Sequence, residues 1–203
     1  MTSAKPYRRL ARRELPADTR VLARWLIGKT LVRDTPEGRT AGTIVETEAY
    51  VPGDAAGHAY IGRTQRNNSL FLRRGHAYVY FIYGMHFALN VSGERAGVGG
   101  GALLRALEPV EGLALMHARR GVQRVTDLAR GPGRLAQAMA IDRVLDGTDL
   151  CVGSSGLWLA DAVRPVRAIG TSARIGISKE VERPLRFYER GNPHVSGSRK
   201  LRE

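Results

Sequence analysis

Two glutamates separated by one residue are the first candidates for chemistry in this sequence. Glu46 and Glu48 occur in the stretch IVETEAY, which ends at Tyr50. Because alternate residues of a β-strand point to the same face, a strand here places both carboxylates on one face, roughly 7 Å apart, with Tyr50 following on that face. A carboxylate partly desolvated by aromatic surface suits a general base that activates water. The alternative is two solvated glutamates on an exposed sheet face, which the spacing alone favours.

The second candidate is an aromatic-rich stretch. Aromatic residues make up 6% of the chain, yet five of them fall in YVYFIYGMHFALN, residues 78–90. Tyr83 and Met85 flank a glycine at a tight turn, where an aromatic ring projects outward like a wedge, since turn tips lie at the surface. For Tyr78 and Phe81 we predict ordinary core packing.

Two polar residues stand out near these aromatics. Asn90 is polar in an otherwise apolar strand, so it needs either a ligand or a structural hydrogen bond to nearby backbone. His58 lies in a polar, glycine-bearing segment that reads as a long loop, and a lone loop histidine is usually solvated. The sequence has no HxxxH, HExxH or His/Cys cluster, and its single cysteine, Cys151, reads as a small buried apolar residue. We therefore expect no metal, no disulfide and no cofactor.

The charge balance indicates a polyanionic partner. Lys and Arg number 32 against 19 acidic residues, which gives a formal net charge of +13. Nucleic acid is the first expectation and an anionic membrane surface the second, with general solubility as the bland alternative. The segment from Ala55 to Gly93 contains no acidic residue but holds four arginines, Arg63, Arg66, Arg73 and Arg74. There is no apolar run of about 18 residues and no secretion signal at the basic N-terminus.

A third motif, GPG at residues 131–133, precedes an expected helix and has Arg130 and Arg134 beside it. Backbone amides at such a helix start could hold a phosphate group. A plain helix start explains the motif equally well.

The elements needed to position these residues follow from periodicity and turn signals. A helix is predicted in LPADTRVLARWLIGK, capped by Asp18 and ended by Gly28, with an apolar face formed by Val21, Leu22, Trp25 and Leu26. Further helices are predicted over 111–120 and from about 133. Strands are predicted over 29–33, 42–50, 76–83, 86–91, 102–107, 163–169 and 185–188. Strands outnumber helices and are mostly joined by turns, so we expect a mixed α/β (α+β) fold around a largely antiparallel sheet. We expect residues 1–203 to form a single compact domain with frayed segments at 1–12 and 197–203.

Taken together, these motifs resemble the alkyladenine (3-methyladenine) DNA glycosylase family. The matching pieces run in the family order from about residue 13 to 196: VETEAY, DAAGH, R-N-x-x-x-F, YVYFIYGMHFALN, LLRALEP, LARGPGRLAQAMAID and PLRFYERGNPHVS. The combination is specific, whereas no single piece would be. The resemblance implies a curved antiparallel sheet with flanking helices.

The resemblance also implies roles for the pocket residues. Glu48 matches the catalytic base that activates water, and Arg105 matches the arginine that helps to hold that water. Tyr50, His58 and Tyr80 match the rings that sandwich a flipped base, and the main chain at His58 matches a hydrogen-bond contact to it.

Three further residues match family positions at the DNA. Tyr83 matches the residue that intercalates where the damaged nucleotide has left the stack, with Met85 beside it. Asn90 matches the pocket residue that clashes with the exocyclic amine of normal guanine. Phosphate contacts are expected from Arg63, Arg66, Arg130 and Arg134.

The implied activity is that of a monofunctional DNA glycosylase of base excision repair, which hydrolyses the N-glycosidic bond of alkylated or deaminated purines in duplex DNA and leaves an abasic site. No lysine falls in the aromatic cluster or next to Glu48, and Lys29 and Lys179 read as surface residues, so a Schiff-base lyase is not favoured. We expect a monomer that acts on the chromosome in the cytoplasm, in a bacterium. The alternatives are a non-catalytic nucleic-acid module that uses the rings for stacking, and a basic binder of anionic membranes. The basic residues lie mainly in loops and helix ends, which disfavours the membrane binder.

Overall fold

A curved, eight-stranded antiparallel sheet forms the framework of the protein. The computed structural model describes residues 7–82, 84 and 86–198. The strands within these ranges are β1 (Thr30–Thr35), β2 (Gly38–Tyr50), β3 (Ala77–Ile82), β4 (His86–Ser92), β5 (Gly101–Glu111), β6 (Leu157–Ala160), β7 (Ile169–Ser172) and β8 (Arg186–Glu189). Their order is β3-β4-β5-β2-β1-β6, and β8 pairs with both β2 and β7. The predicted α+β class with a curved, largely antiparallel sheet is confirmed.

Strand β2 lies at the centre and has three partners. One edge pairs with β5, and the other pairs first with β1 and then, over residues 46–48, with β8. The register with β5 shifts on both sides of Glu46. Such irregularities bend a strand and re-aim its side chains. They occur where β2 carries the two glutamates.

Three helices accompany the sheet in the described residues: α1 (Thr19–Trp25), α2 (Leu113–Arg120) and α3 (Pro132–Ala138). Asp18 caps α1 as predicted, since its side chain accepts a hydrogen bond from the Val21 amide at 2.8 Å. Leu22 and Leu26 are buried, but Val21 is 53% exposed, so its assignment to the apolar face was wrong. Short 3₁₀ segments lie at Arg12–Glu14, Asn68–Phe71, Val125–Asp127 and Arg143–Leu145.

The main core lies between the helices and the sheet. Its buried residues come from the three helices and from most strands of the sheet, and they include Leu22, Leu31, Val79, Leu104, Met116 and Leu135. No helix in the described part of the chain is long and apolar enough to cross a membrane.

Two strands in the C-terminal part of the chain differ from the prediction. The strand expected over 163–169 is wrong, because residues 163–168 form no regular structure and β7 begins at Ile169. Strand β6 was not predicted. It has only four residues, all of them buried, and it forms through its pairing with β1, as in Leu31 with Leu159. So short an apolar run carries no periodicity that distinguishes a strand from a buried turn.

Part of the N-terminal segment for which we predicted fraying is packed on the sheet. Leu10 is fully buried, and its amide donates to the carbonyl of Leu159 at 3.0 Å. Arg12 forms an ion pair with Asp149. Fraying therefore does not hold for residues 7–12, while residues 1–6 and 199–203 lie outside the described residues.

Candidate active site

Glu48 lies at the base of the site and is fully buried. Its Oε1 accepts a hydrogen bond from the Ile175 amide at 2.7 Å. Its Oε2 accepts one from the Tyr50 hydroxyl at 3.0 Å and lies 3.1 Å from Nη1 of Arg105. Glu46 is equally buried, so the alternative of two solvated glutamates is wrong for both residues. The three donors hold the Glu48 carboxylate in one orientation.

Arg105, from β5, bridges the two glutamates. Its Nε donates to Oε1 of Glu46 at 3.0 Å, while its Nη1 contacts Glu48. Burial by itself would lower the pKa of the Arg105 guanidinium, but the neighbouring carboxylates of Glu48 and Glu46 outweigh it and raise that pKa. Both glutamates reach the same guanidinium, which confirms that they lie on one side of β2.

Glu46 is held by residues from the C-terminal part of the chain. Besides Arg105, its carboxylate accepts hydrogen bonds from Nε of Arg186 at 2.7 Å and from the amide and hydroxyl of Ser196 at 2.6 and 2.9 Å. Arg186 also donates to the Ser196 carbonyl at 2.8 Å. Sequence reasoning gave neither residue a role, although both lie in or beside PLRFYERGNPHVS.

A cavity of about 180 Å³ opens beside Tyr50. An engineered cavity of about 150 Å³ is known to bind benzene, so the space suits part or all of a small flat ligand. The lining combines aromatic rings, a buried amide and small residues: Tyr50, Val51, Ala56, Gly57, His58, Ala59, Leu70, Tyr78, Tyr80, Asn90, Gly100, Gly101, Gly176 and Ile177. The structure thus brings together the four pocket residues that we predicted, which are Tyr50, His58, Tyr80 and Asn90.

The aromatic rings of β3 contact His58, which lies in the segment between β2 and β3. Tyr78 and Tyr80 stack with their centroids 5.2 Å apart, and His58 meets Tyr80 edge-on at 4.5 Å. Nδ1 of His58 lies 2.9 Å from the Tyr78 hydroxyl. Core packing of Tyr78 is confirmed because it is buried, but the residue also lines the cavity, which we did not predict.

These contacts shift two pKa values. Burial, with a contribution from Tyr80, raises the pKa of Tyr78 to about 12. Partial desolvation of the ring, assisted by the charge of Arg66, lowers the pKa of His58 below its ordinary value of 6.5. At neutral pH the pocket therefore presents an uncharged imidazole and a protonated phenol.

Asn67 fixes the loop that carries His58. Its side-chain amide donates to the carbonyl oxygens of His58 at 2.8 Å and Gly62 at 2.9 Å, and the residue is buried. Asn67 belongs to the R-N-x-x-x-F piece, but sequence reasoning gave it no role.

Asn90 behaves differently from Asn67. It is 5% exposed and lines the cavity, yet its Nδ2 has no hydrogen-bond partner among the described residues. The predicted alternative, a structural bond to nearby backbone, is thus not made by this donor. Buried amide donors are rarely left unpaired, so an unpaired one facing a cavity indicates a ligand site.

The segment after β7 forms a wall that the sequence did not reveal. Gly176 and Ile177 line the cavity, and the Ile175 amide holds Glu48. Arg174 pairs with Asp54, donates to the Ala49 carbonyl at 3.1 Å and places its guanidinium 4.7 Å from the centroid of the Tyr50 ring.

Phe81 does not belong to the core. It is 51% exposed and contacts Phe87 with a centroid distance of 5.3 Å, so core packing was wrong for this residue. It lies on the face of β3 opposite to Tyr78 and Tyr80, near the end of the strand, whereas Val79 on the same face is fully buried. The wedge prediction for Tyr83 and Met85 concerns residues outside the described ones.

The arginines expected at phosphates occupy different settings. Arg63, Arg66 and Arg134 are exposed, and Nε of Arg63 donates to Oδ1 of Asn68 at 2.6 Å. Arg130 is partly buried and pairs with Asp127. The GPG motif forms the start of α3, a helix of seven residues.

The burial of the two lysines and of the single cysteine agrees only partly with the sequence predictions. Lys29 was expected at the surface but is largely covered, because its Nζ contacts Asp161 at 2.8 Å and lies over the Trp25 ring. Lys179 is exposed as expected, and Cys151 is only half-buried. Within residues 7–82, 84 and 86–198, no group of three His, Cys, Asp or Glu side chains could hold a metal ion.

Comparisons of the sequence with known proteins identify one family. The sequence profile described as methylpurine-DNA glycosylase matches residues 13–193. Among curated proteins, one from Mesorhizobium japonicum is 60% identical over 194 residues, covering 96% of this chain and 93% of the relative. Relatives from Paraburkholderia phytofirmans and Methanoculleus marisnigri are 53% and 46% identical, covering 97% and 88% of this chain and 92% and 94% of their own. All three relatives carry the name "Putative 3-methyladenine DNA glycosylase".

Proposed function

The chain belongs to the methylpurine-DNA glycosylase family, and we propose that it is a monofunctional DNA glycosylase. On this proposal it removes alkylated or deaminated purines, of the 3-methyladenine, 7-methylguanine, hypoxanthine and ethenoadenine class, from duplex DNA. The relatives' names support 3-methyladenine as one substrate.

One observation carries the proposal: a buried Glu48, held by two hydrogen bonds and an ion pair, lies beside a cavity lined by aromatic rings. Tyr50 connects the two features, because its hydroxyl donates to Glu48 and the residue also lines the cavity. A base that enters the cavity would therefore bring its glycosidic bond close to this carboxylate. A stacking platform without catalysis has no need for a buried carboxylate and its paired arginine.

The proposed reaction is hydrolysis of the N-glycosidic bond. Glu48 accepts a proton from a water molecule, and the water oxygen bonds to C1′ of the sugar. The C1′–N bond breaks and its electron pair leaves with the base. Arg105 contacts the buried carboxylate and would orient the water. The products are a free base and an abasic site.

Base recognition would rest on extrusion and stacking. Flipping a nucleotide out of the duplex costs a few kcal/mol of unstacking, least for a damaged base. Stacking on Tyr50, Tyr80 and His58 would recover about 1–3 kcal/mol per base. A cationic alkylated purine gains further over the ring faces.

Hydrolysis is favoured over a lyase reaction because the described residues that line the cavity include no lysine. A Schiff-base mechanism needs a nucleophilic amine at the sugar. The net charge of +13 and the exposed Arg63, Arg66 and Arg134 support duplex DNA as the partner, bound through its phosphates. We expect a monomer that acts on the chromosome.

The test is single-turnover base release from duplex oligonucleotides that each carry one lesion, with the wild type and the Glu48→Gln variant side by side. We expect release by the wild type and a loss of about 10²- to 10⁴-fold in the variant, the usual contribution of a general base. Lesion binding should persist in the variant. Glu37→Gln, at an exposed carboxylate, is the matched control and should retain the wild-type rate.

Tight binding of lesion DNA by the wild type without release of any base would contradict the proposal. That result would favour the non-catalytic nucleic-acid module instead.

A further inference from the structure

A buried cation lies against one of the rings that line the cavity. The Arg174 guanidinium is 4.7 Å from the centroid of the Tyr50 ring, and its side chain is fully buried. Arg174 does not line the cavity, whereas Tyr50 does. The cation and the cavity therefore share the same ring, with Arg174 on the side that a ligand does not reach.

Arg174 is held rigidly in this position. It forms a two-pronged ion pair with Asp54, whose side chain is also fully buried, and it donates to the Ala49 carbonyl. Asp54 lies in the segment after β2, and Arg174 follows β7, so the pair joins the two walls that flank Tyr50. The Tyr50 ring is fixed in addition by its hydrogen bond to Glu48.

We propose that the Arg174–Asp54 pair determines how strongly the pocket prefers cationic bases over neutral ones. This proposal rests on the proposed function and on Tyr50 as a stacking partner of the base. On this view Arg174 is a specificity-determining residue that acts through the Tyr50 ring and never touches the base.

The physical reason lies in the charge distribution of an aromatic ring. A ring attracts a cation through its electron-rich face. A guanidinium on one face already uses part of this attraction, and its charge repels a second cation on the other face. A neutral base stacks without that penalty. Asp54 offsets part of the guanidinium charge, so the two partners act on the preference in opposite directions.

Substitutions of the two partners should therefore change the preference for cationic bases in opposite directions. Arg174→Gln removes the cation and should raise the ratio of cationic to neutral base processing by about two- to fivefold, the size of a cation–π contribution. Asp54→Asn keeps the cation but removes its counter-charge and should lower the same ratio. Both substitutions break the same buried pair, so a purely structural role would move the ratio in the same direction for both.

The experiment measures single-turnover release from two duplexes of identical sequence, one with 3-methyladenine and one with hypoxanthine, over a range of protein concentrations at one pH. The readout is the quotient of the two second-order rate constants. Changes in the activation of water by Glu48 affect both lesions and cancel in this quotient. If either of the other variants fails to fold, Arg174→Lys provides a further test. It retains the positive charge and should keep the ratio near the wild-type value.

The control is Arg183→Gln, which breaks the partly exposed pair with Glu180 and should leave the ratio unchanged. Ratios that stay constant in Arg174→Gln and Asp54→Asn, or that move in the same direction, would overturn the specificity proposal alone. Absence of release by the wild type from every lesion would instead contradict the proposed function.

Discussion

Arg186 donates a hydrogen bond from Nε to Oε1 of Glu46 across 2.7 Å, although 140 positions separate the two residues in the chain. Glu46 in turn accepts a hydrogen bond from Arg105, which contacts Glu48. The C-terminal part of the chain therefore reaches the candidate general base through a line of buried, alternating charges. The position of Glu48 depends on residues that do not contact it.

Glu46→Gln should destabilise the fold strongly. Removing one partner of a buried ion pair costs about 3–5 kcal/mol, because the other charge stays buried without compensation. Urea denaturation would measure the change in the free energy of unfolding. Glu180→Gln breaks a partly exposed pair with Arg183 and should cost about 0–1 kcal/mol. Equal losses of unfolding free energy in the two variants would show that the buried ion pairs of Glu46 stabilise the fold no more than a partly exposed pair does.

Arg105→Gln should lower the rate of base release more than it lowers lesion binding. Arg105 is the cation that contacts both buried carboxylates, so its loss removes a contact that holds Glu48 in place. Single-turnover rates and lesion affinities at one pH would separate the two effects. A rate equal to that of the wild type would mean that Arg105 does not contribute to base release.

Asn90→Ala should leave folding stability unchanged or raise it. Its Nδ2 is buried without a partner among the described residues, and an unsatisfied buried donor costs about 1–3 kcal/mol. Asn67→Ala is the matched control, because that side-chain amide donates two hydrogen bonds. Its loss removes both of these partly buried hydrogen bonds and should lower the free energy of unfolding by about 1–3 kcal/mol. Urea denaturation of both variants measures the contrast.

The same Asn90→Ala substitution should widen the range of accepted bases. If the Asn90 amide clashes with the exocyclic amine of guanine, its removal should increase release of unmodified guanine relative to hypoxanthine. Base release from undamaged and hypoxanthine-containing duplexes would provide the ratio. An unchanged ratio would remove Asn90 from the discrimination of normal bases.

The lowered pKa of His58 predicts a pH-dependent preference for cationic bases. In the folded protein the ring is neutral above its lowered pKa, and as the pH falls it acquires a charge that repels a cationic base. The neighbouring Tyr78 and Arg66 do not offset this charge, because burial raises the pKa of Tyr78 to about 12 and Arg66 is itself cationic. Lesion affinity relative to undamaged duplex should therefore fall between pH 7.5 and 5.

This measurement is best made in the Glu48→Gln background, which slows turnover so that lesion binding can be measured. A His58→Gln substitution in that background should abolish the fall. Folding stability should depend on pH in the same direction. A histidine whose folded pKa lies below 6.5 contributes stability above pH 6.5, and this contribution is lost as the pH falls through the folded pKa. If lesion affinity falls equally with and without His58, the fall is caused by the titration of another group.

Much of the site could be predicted from the sequence because its residues lie at regular strand positions. Tyr78 and Tyr80 are two apart on β3, and Tyr50 follows Glu48 by two on β2, so alternation alone places each pair on one face. Asp18 caps α1 as its residue type and position indicate. The prediction failed for Phe81, because alternation states which face a residue occupies but not whether another layer covers that face.

The sequence by itself determined the chemical groups of the site, the strands that carry them and, through its motifs, the family of the protein. Only the tertiary structure decided which of these groups are buried and what they contact. The spacing of Glu46 and Glu48 favoured two solvated residues. In the folded protein both are buried, and Glu46 contacts Arg186 and Ser196 from the other end of the chain. The Arg174–Asp54 pair likewise joins residues 120 positions apart. Local pattern cannot reveal such contacts, because the low-dielectric setting that gives them their strength exists only once the distant segments have packed together.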